Sequence, residues 1–169
     1  MSDELDWMEM FAAAMTGVMR QIKHRSKGDK HKWNATVAGG WERDIEGACA
    51  EKFAAKSLGL YWFDGVGGAT DIGPCQVRHT PHLDGRLMLH PEDKDDEIFI
   101  LVVGRAPAFE LVGWCFGHEG KSQDYWSDPT GANRPAFFVP RVGVLRSVDE
   151  LVKLRQQMEM MEFARETLK

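Results

Sequence analysis

Within eight positions the chain sets a carboxylate, an amide and a guanidinium, Asp71, Gln76 and Arg78, in the run Thr70-Asp71-Ile72-Gly73-Pro74-Cys75-Gln76-Val77-Arg78-His79-Thr80. Side chains alternate in direction along a β-strand, so Gln76 and Arg78 are expected on one face and Val77 on the other. Gly73-Pro74 suits a sharp turn that would bring Asp71 beside Gln76. Such a group offers oxygen ligands to a hard cation and a permanent positive charge to a phosphate oxygen.

Glu51 adds a second carboxylate. On an ideal helix its nearest neighbours are Gly47, Ala48, Ala54, Ala55 and Leu58, all small or apolar, so it lies on a face that should pack inward. An ionised carboxylate buried without company is very costly, and a metal or a cation is its expected partner. Glu46 lies about 140° further round the same helix, which directs it away from Glu51.

Structural readings of the same residues stand beside the functional ones. Asp71 before Gly-Pro is equally the pattern of a turn former that bonds nearby amides, and Glu51 with Arg78 would also serve as an ion pair. A basic stretch, Lys23 to Trp33, contains Lys23, Arg25, Lys27, Lys30 and Lys32 with one tryptophan, and reads as a loop that holds nucleic-acid backbone or as a solvated charged surface. Lys121 near Tyr125-Trp126 is a second candidate contact. A zinc site from His79, His82, Cys115 and His118 is disfavoured, since their spacing follows no finger pattern.

These residues need elements to hold them. Residues 4–23 carry Leu5, Met8, Phe11, Ala12, Met15, Val18, Met19 and Ile22 at helical steps, which predicts one helix packing through that stripe, with Ser2 or Asp3 as its cap. Gly39-Gly40 is expected to break the chain before a second helix from Trp41 to Leu58, stopped at Gly59. Strands are expected at Ala69–Ile72, Cys75–Thr80, Arg86–His90, Ile98–Val103, Phe109–Phe116 and Ala136–Val139. Ile98–Val103 is apolar throughout, as in a central strand covered on both faces. Ser122 to Asn133 reads as a polar loop. Ser147-Val148-Asp149-Glu150 matches a capping box that opens a last helix toward Lys169.

Composition bounds what these elements form. A chain of 169 residues, 43% hydrophobic and 28% charged, predicts one globular mixed α/β domain. Its core is expected over about 41–145, with an N-terminal helix and basic loop over 1–40 and a C-terminal helix over 147–169. No apolar run reaches the roughly 20 residues of a membrane span. The acidic start and three unpaired cysteines predict a cytoplasmic, reduced protein without a membrane partner. A net charge of −5 argues against broad polyanion binding and leaves only a local basic surface. Met158 to Phe163 carries more apolar surface than one face covers, which suggests a homodimer through the C-terminal helix.

A helix glutamate, an aspartate at a strand end and a residue-x-basic triplet on the next strand resemble the PD-(D/E)xK nuclease superfamily. More narrowly, GACAEKFAAKSLGLYW, DIGPCQVRHT and FELVGWCFGHEGK are similar to small phage and prophage proteins placed in or near it. The resemblance implies a restriction-endonuclease-like central mixed sheet flanked by helices, and a phosphodiesterase site that uses Mg2+ or Mn2+. It implies Asp71, Glu51 and Gln76 as metal ligands, with the Val77 carbonyl completing the shell and Arg78 in the lysine position. Two departures stand out. Gln76 is neutral where a carboxylate is usual, and Arg78 keeps its proton and cannot act as a base. A catalytically inactive binding or adaptor protein, or a self-assembling structural component, are the alternative expectations.

Overall fold

The computed structural model describes residues 4–26, 37–63, 70–129, 131 and 133–167, without the side chains of 37–39, 159 and 162–167. Two long helices come first, α1 (Trp7–Ser26) and α2 (Val37–Leu58). Then come β1 (Cys75–Thr80), β2 (Leu87–Leu89), β3 (Ile98–Arg105) and β4 (Ala108–Phe116). A short helix α3 (Gly117–Gly120), a 3-10 turn (Gln123–Tyr125), β5 (Trp126–Ser127), β6 (Ala136–Val139) and α4 (Val148–Thr167) complete the chain. The architecture is mixed α and β, as composition and patterning predict. Among the described residues no helix is long and apolar enough to cross a membrane.

The strands form two sheets, β1-β3-β4 and β2-β6-β5. β3 runs parallel to β1 and antiparallel to β4, so the apolar run Ile98–Val103 is the middle strand, as expected. Its alternate residues feed two cores. Ile98, Ile100 and Val102 join Cys75, Val77 and Trp114 against Ala50, Phe53 and Ala54 of α2. Phe99, Leu101 and Val103 face the other way and meet Leu87, Leu89 and Val139 of the second sheet. Ala13 of α1 and Leu151 of α4 contribute to the first core, as does Leu5 just before α1.

Helix α1 departs from its expected packing. Met8, Phe11, Met15, Met19 and Ile22 are exposed, and Ala13, Thr16, Gly17 and Gln21 are buried instead. The reason is closeness to α2: a Cβ on Gly17 would lie 2.5 Å from both the Asp44 carbonyl oxygen and the Ile45 Cα. Backbones that near leave room for small residues only, so the bulky stripe is turned outward. The α1 cap is Asp6, whose Oδ1 accepts the Glu9 amide at 2.8 Å while Glu9 Oε2 accepts the Asp6 amide at 2.8 Å. The expected caps Ser2 and Asp3 lie outside the described residues.

Other boundaries also shift. Gly39-Gly40 falls inside α2, which begins at Val37, and Gly59 ends it at φ +61° as expected. Of the expected strand Ala69–Ile72, Ala69 lies outside the described residues and the rest forms only the bridges of Ile72 with Trp62 and Cys75, because the tight turn that follows leaves no length for a ladder. The polar loop after Ser122 contains the 3-10 turn and β5, which pairs with β6. At α4 the Glu150 amide donates to Ser147 Oγ at 3.4 Å, the hydroxyl half of the expected capping box, while the Glu150 carboxylate accepts from the Ser147 hydroxyl at 3.1 Å.

Candidate functional site

Glu51 sits on the buried side of α2, 6% exposed. Its partner is Arg20 of α1, whose two terminal nitrogens donate to Oε1 and Oε2, each at 2.6 Å. The Trp62 indole N–H adds a third donor at 3.2 Å to Oε2. A two-pronged guanidinium fork neutralises a carboxylate and also fixes its plane. The inward-facing Glu51 that helical spacing predicts is therefore present, and a cation attends it.

Asp71 is placed by a reversal of the chain. The Cys75 amide donates to the Ile72 carbonyl at 2.8 Å, and the Ile72 amide returns to the Cys75 carbonyl at 3.1 Å. Gly73 supplies the positive φ of +44° between them, close against the Leu60 side chain. The reversal lays the Asp71 carboxylate along the outer edge of β1, where its Oδ2 accepts the Val77 amide at 2.8 Å. The turn expected at Gly73-Pro74 is formed, and Asp71 bonds the amide just after Gln76. Burial, and then the nearby Glu51 carboxylate, push Asp71 up to about 6, although the Val77 amide and the Arg78 and Arg20 cations pull the other way. Two acids and two guanidinium groups thus act on one another at the edge of one strand.

Gln76 and Arg78 share a face, as strand alternation requires, and it is the face opposite Val77 and α2. Both are engaged by the acidic turn before β3. Gln76 Nε2 donates to Glu97 at 3.3 Å, and Arg78 donates to Asp93 at 2.8 Å while lying 5.1 Å from the Phe99 ring centre. Asp93 is held in turn by the His90 amide at 2.8 Å. Lys121 fastens the same turn through the Asp93 and Pro91 carbonyls and the Asp95 carboxylate, so its role here is internal.

Among the basic residues, Lys23 and Arg25 are exposed on the last turn of α1, which continues to Ser26 where a loop was expected. Arg25 lies over the Trp41 ring at 4.7 Å. Lys23 and His24 come one turn after Arg20, on the neighbouring rows of the helix surface. Lys27, Lys30 and Lys32 lie outside the described residues.

The donor set does not make a ready cation site. Among the described residues no three His, Cys, Asp or Glu side chains group as metal ligands. Both Glu51 oxygens are taken by Arg20, and Gln76 points to the opposite side of the sheet from Glu51, so Asp71 and the outward edge of Val77 are what remain. A divalent ion bound by Glu51 would have to displace a buried guanidinium.

Sequence reasoning missed Arg20, Trp62, Asp93 and Glu97. It also missed a cleft of about 660 Å3 between the N-terminal half of α2 and the ends of β1 and β3, lined by Arg43, Glu46, His79, His82 and Arg105 among others. Glu46 accepts the Ala106 amide at 3.1 Å there, consistent with its pointing away from Glu51. The carboxyl ends of parallel strands are a common ligand position, but neither Asp71 nor Glu51 lines this cleft. Compared with known proteins, the chain matches no family model, no curated protein and no solved structure, so the site rests on its own geometry.

Proposed function

We propose that the chain is a nuclease-like nucleic-acid-binding protein that holds a phosphodiester backbone beside the Asp71–Glu51 pair without cleaving it. The observation that carries this reading is the closure of Glu51 by both nitrogens of Arg20 at 2.6 Å. A carboxylate so neutralised is a poor ligand for a hard divalent ion. The exposed Lys23, one turn beyond Arg20, gives a phosphate a place to dock next to the acid pair.

Hydrolysis assisted by Mg2+ or Mn2+ is the second reading, and one observation favours it. Asp71 is raised by burial and then by the proximity of Glu51, and the like-charge part is one that a divalent ion would relieve. In that reading Asp71 and the Val77 carbonyl would hold the ion, which would supply an activated water, and Arg78 would have to leave Asp93 on the other face to steady a phosphate oxygen.

One set of measurements separates them. Fluorescence anisotropy with single- and double-stranded DNA and RNA should show salt-sensitive binding that weakens in Lys23→Ala, with a salt slope reduced by about 1, as expected when one phosphate contact is lost. With millimolar Mn2+, the melting temperature should stay unchanged, since only a ligand bound by the native state raises it. No binding to any of the four probes rejects the proposal. Cleavage by the wild type that disappears in Asp71→Asn replaces it with the hydrolytic reading. The homodimer through the C-terminal helix also remains a proposal, resting on exposed Met158, Met160 and Met161.

A further inference from the structure

Helix α1 carries apolar side chains on the side that its own fold leaves bare. Met8 is 53% exposed, Phe11 60%, Met15 46%, Met19 47% and Ile22 55%, a row that follows the three- and four-residue steps of a single helix face. The opposite side of the helix, Ala13, Thr16, Gly17 and Gln21, is the one packed on α2. The helix is thus covered on its small and polar side and bare on its greasy one, the reverse of a solvent-facing helix. Between Met8 and Ile22 the row is about 21 Å long at the helical rise of 1.5 Å per residue. An uninterrupted strip of this length on a soluble chain marks a contact surface.

The spacing and the charges select the occupant. The exposed row Met8, Phe11, Met15, Met19 and Ile22 steps by three, four, four and three residues, so it is symmetric about Met15, and with half-buried Val18 beside it the spacing suits packing along a second helix. Exposed Glu4 and Asp6 stand at one end of the row, and exposed Lys23 and Arg25 at the other. We infer that α1 is the interface of a twofold homodimer in which two copies of this helix pack antiparallel along the Met8–Ile22 row. In that arrangement Met15 meets its own copy, Met8 meets the partner's Ile22, and the acidic end of each helix lies on the basic end of the other. The two helix dipoles also oppose favourably. A parallel pair would set acid on acid and base on base. A membrane surface would call for a uniformly basic flank, which a helix acidic at its start does not offer.

The test is sedimentation velocity on the full chain, joined to cysteine cross-linking. Wild type should sediment as a dimer at micromolar concentration. Phe11→Glu and Met15→Glu should each raise the dissociation constant by at least about tenfold, since burial of such a side chain is lost on both copies. Both positions are exposed in the single chain, so circular dichroism should be unchanged and loss of fold is distinguished from loss of contact. Under mild oxidation Met15→Cys should couple to itself, whereas Met8→Cys should couple only when mixed with Ile22→Cys. A monomer at every concentration overturns the proposal, and so does self-coupling of Met8→Cys, which signals a parallel pair. A dimer lost in Met161→Glu and kept in Met15→Glu moves the contact to α4 and also overturns it, as does binding of monomer to anionic phosphatidylserine vesicles through Phe11.

Discussion

At the scale of single residues, Asp71 is the group whose chemistry is most altered by its surroundings. Its value of about 6 lies above the ordinary 3.8, so the folded chain takes up a proton at this position before the unfolded chain does as the pH falls. Ionised Asp71 therefore costs stability in full above about pH 6, and the cost fades as the pH drops and is gone below 3.8, where both states are protonated. Asp71→Asn keeps an acceptor for the Val77 amide and removes the charge. It should be more stable than wild type at pH 8, by up to about 3 kcal/mol from a shift of this size. The difference should shrink steadily toward pH 4 in thermal melts. A gap that does not depend on pH would show that the charge is not what burial opposes. Glu51 was legible as an acid that must find company, because helical spacing places it, and Asp71 as a site or turn residue, because Gly73-Pro74 follows it. Arg20 was not, since it sits 31 positions from Glu51 and inside a stretch whose dominant pattern is apolar.

At the scale of elements, local rules worked where one face decides the outcome and failed where close approach does. Cys75–Thr80 and Ala136–Val139 appear with the expected bounds, and the run at Ile98 is the middle strand. Helix α1 was legible as a helix but not in orientation. A stripe of Met and Phe predicts the buried side only if the neighbour keeps its distance, and at Gly17 the backbone of α2 does not. Gly17→Ala measures that contact directly. Its added methyl would lie 2.5 Å from the Ile45 Cα, and since neither partner is a flexible side chain the helices must separate. The expected loss is about 1–3 kcal/mol, the usual cost of overfilling a packed site, read by urea unfolding. An unchanged midpoint would mean that α1 rides on α2 more loosely than the structure depicts.

At the scale of the whole molecule, one sheet divides two cores, the first with two buried thiols and the second with one to report on it. Burial pushes Cys49 up to about 11, and Cys75 and Cys115 up to about 12. Cys49 and Cys75 belong to the core under α2, and Cys115 to the one under the second sheet. Thiols so shielded stay protonated and unreactive at pH 8. Native protein should resist iodoacetamide, and denaturant should release all three. Rapid native labelling at Cys115 alone would reveal that the second core opens independently of the first. The pairing of β2 with β6 has a further consequence for how the molecule is made. Leu87 and Leu89 leave the ribosome long before Phe137 and Val139, their ladder partners. During synthesis, β2 waits without its only ladder partner while β3 and β4 are still being added, and the second core closes only once β6 has emerged.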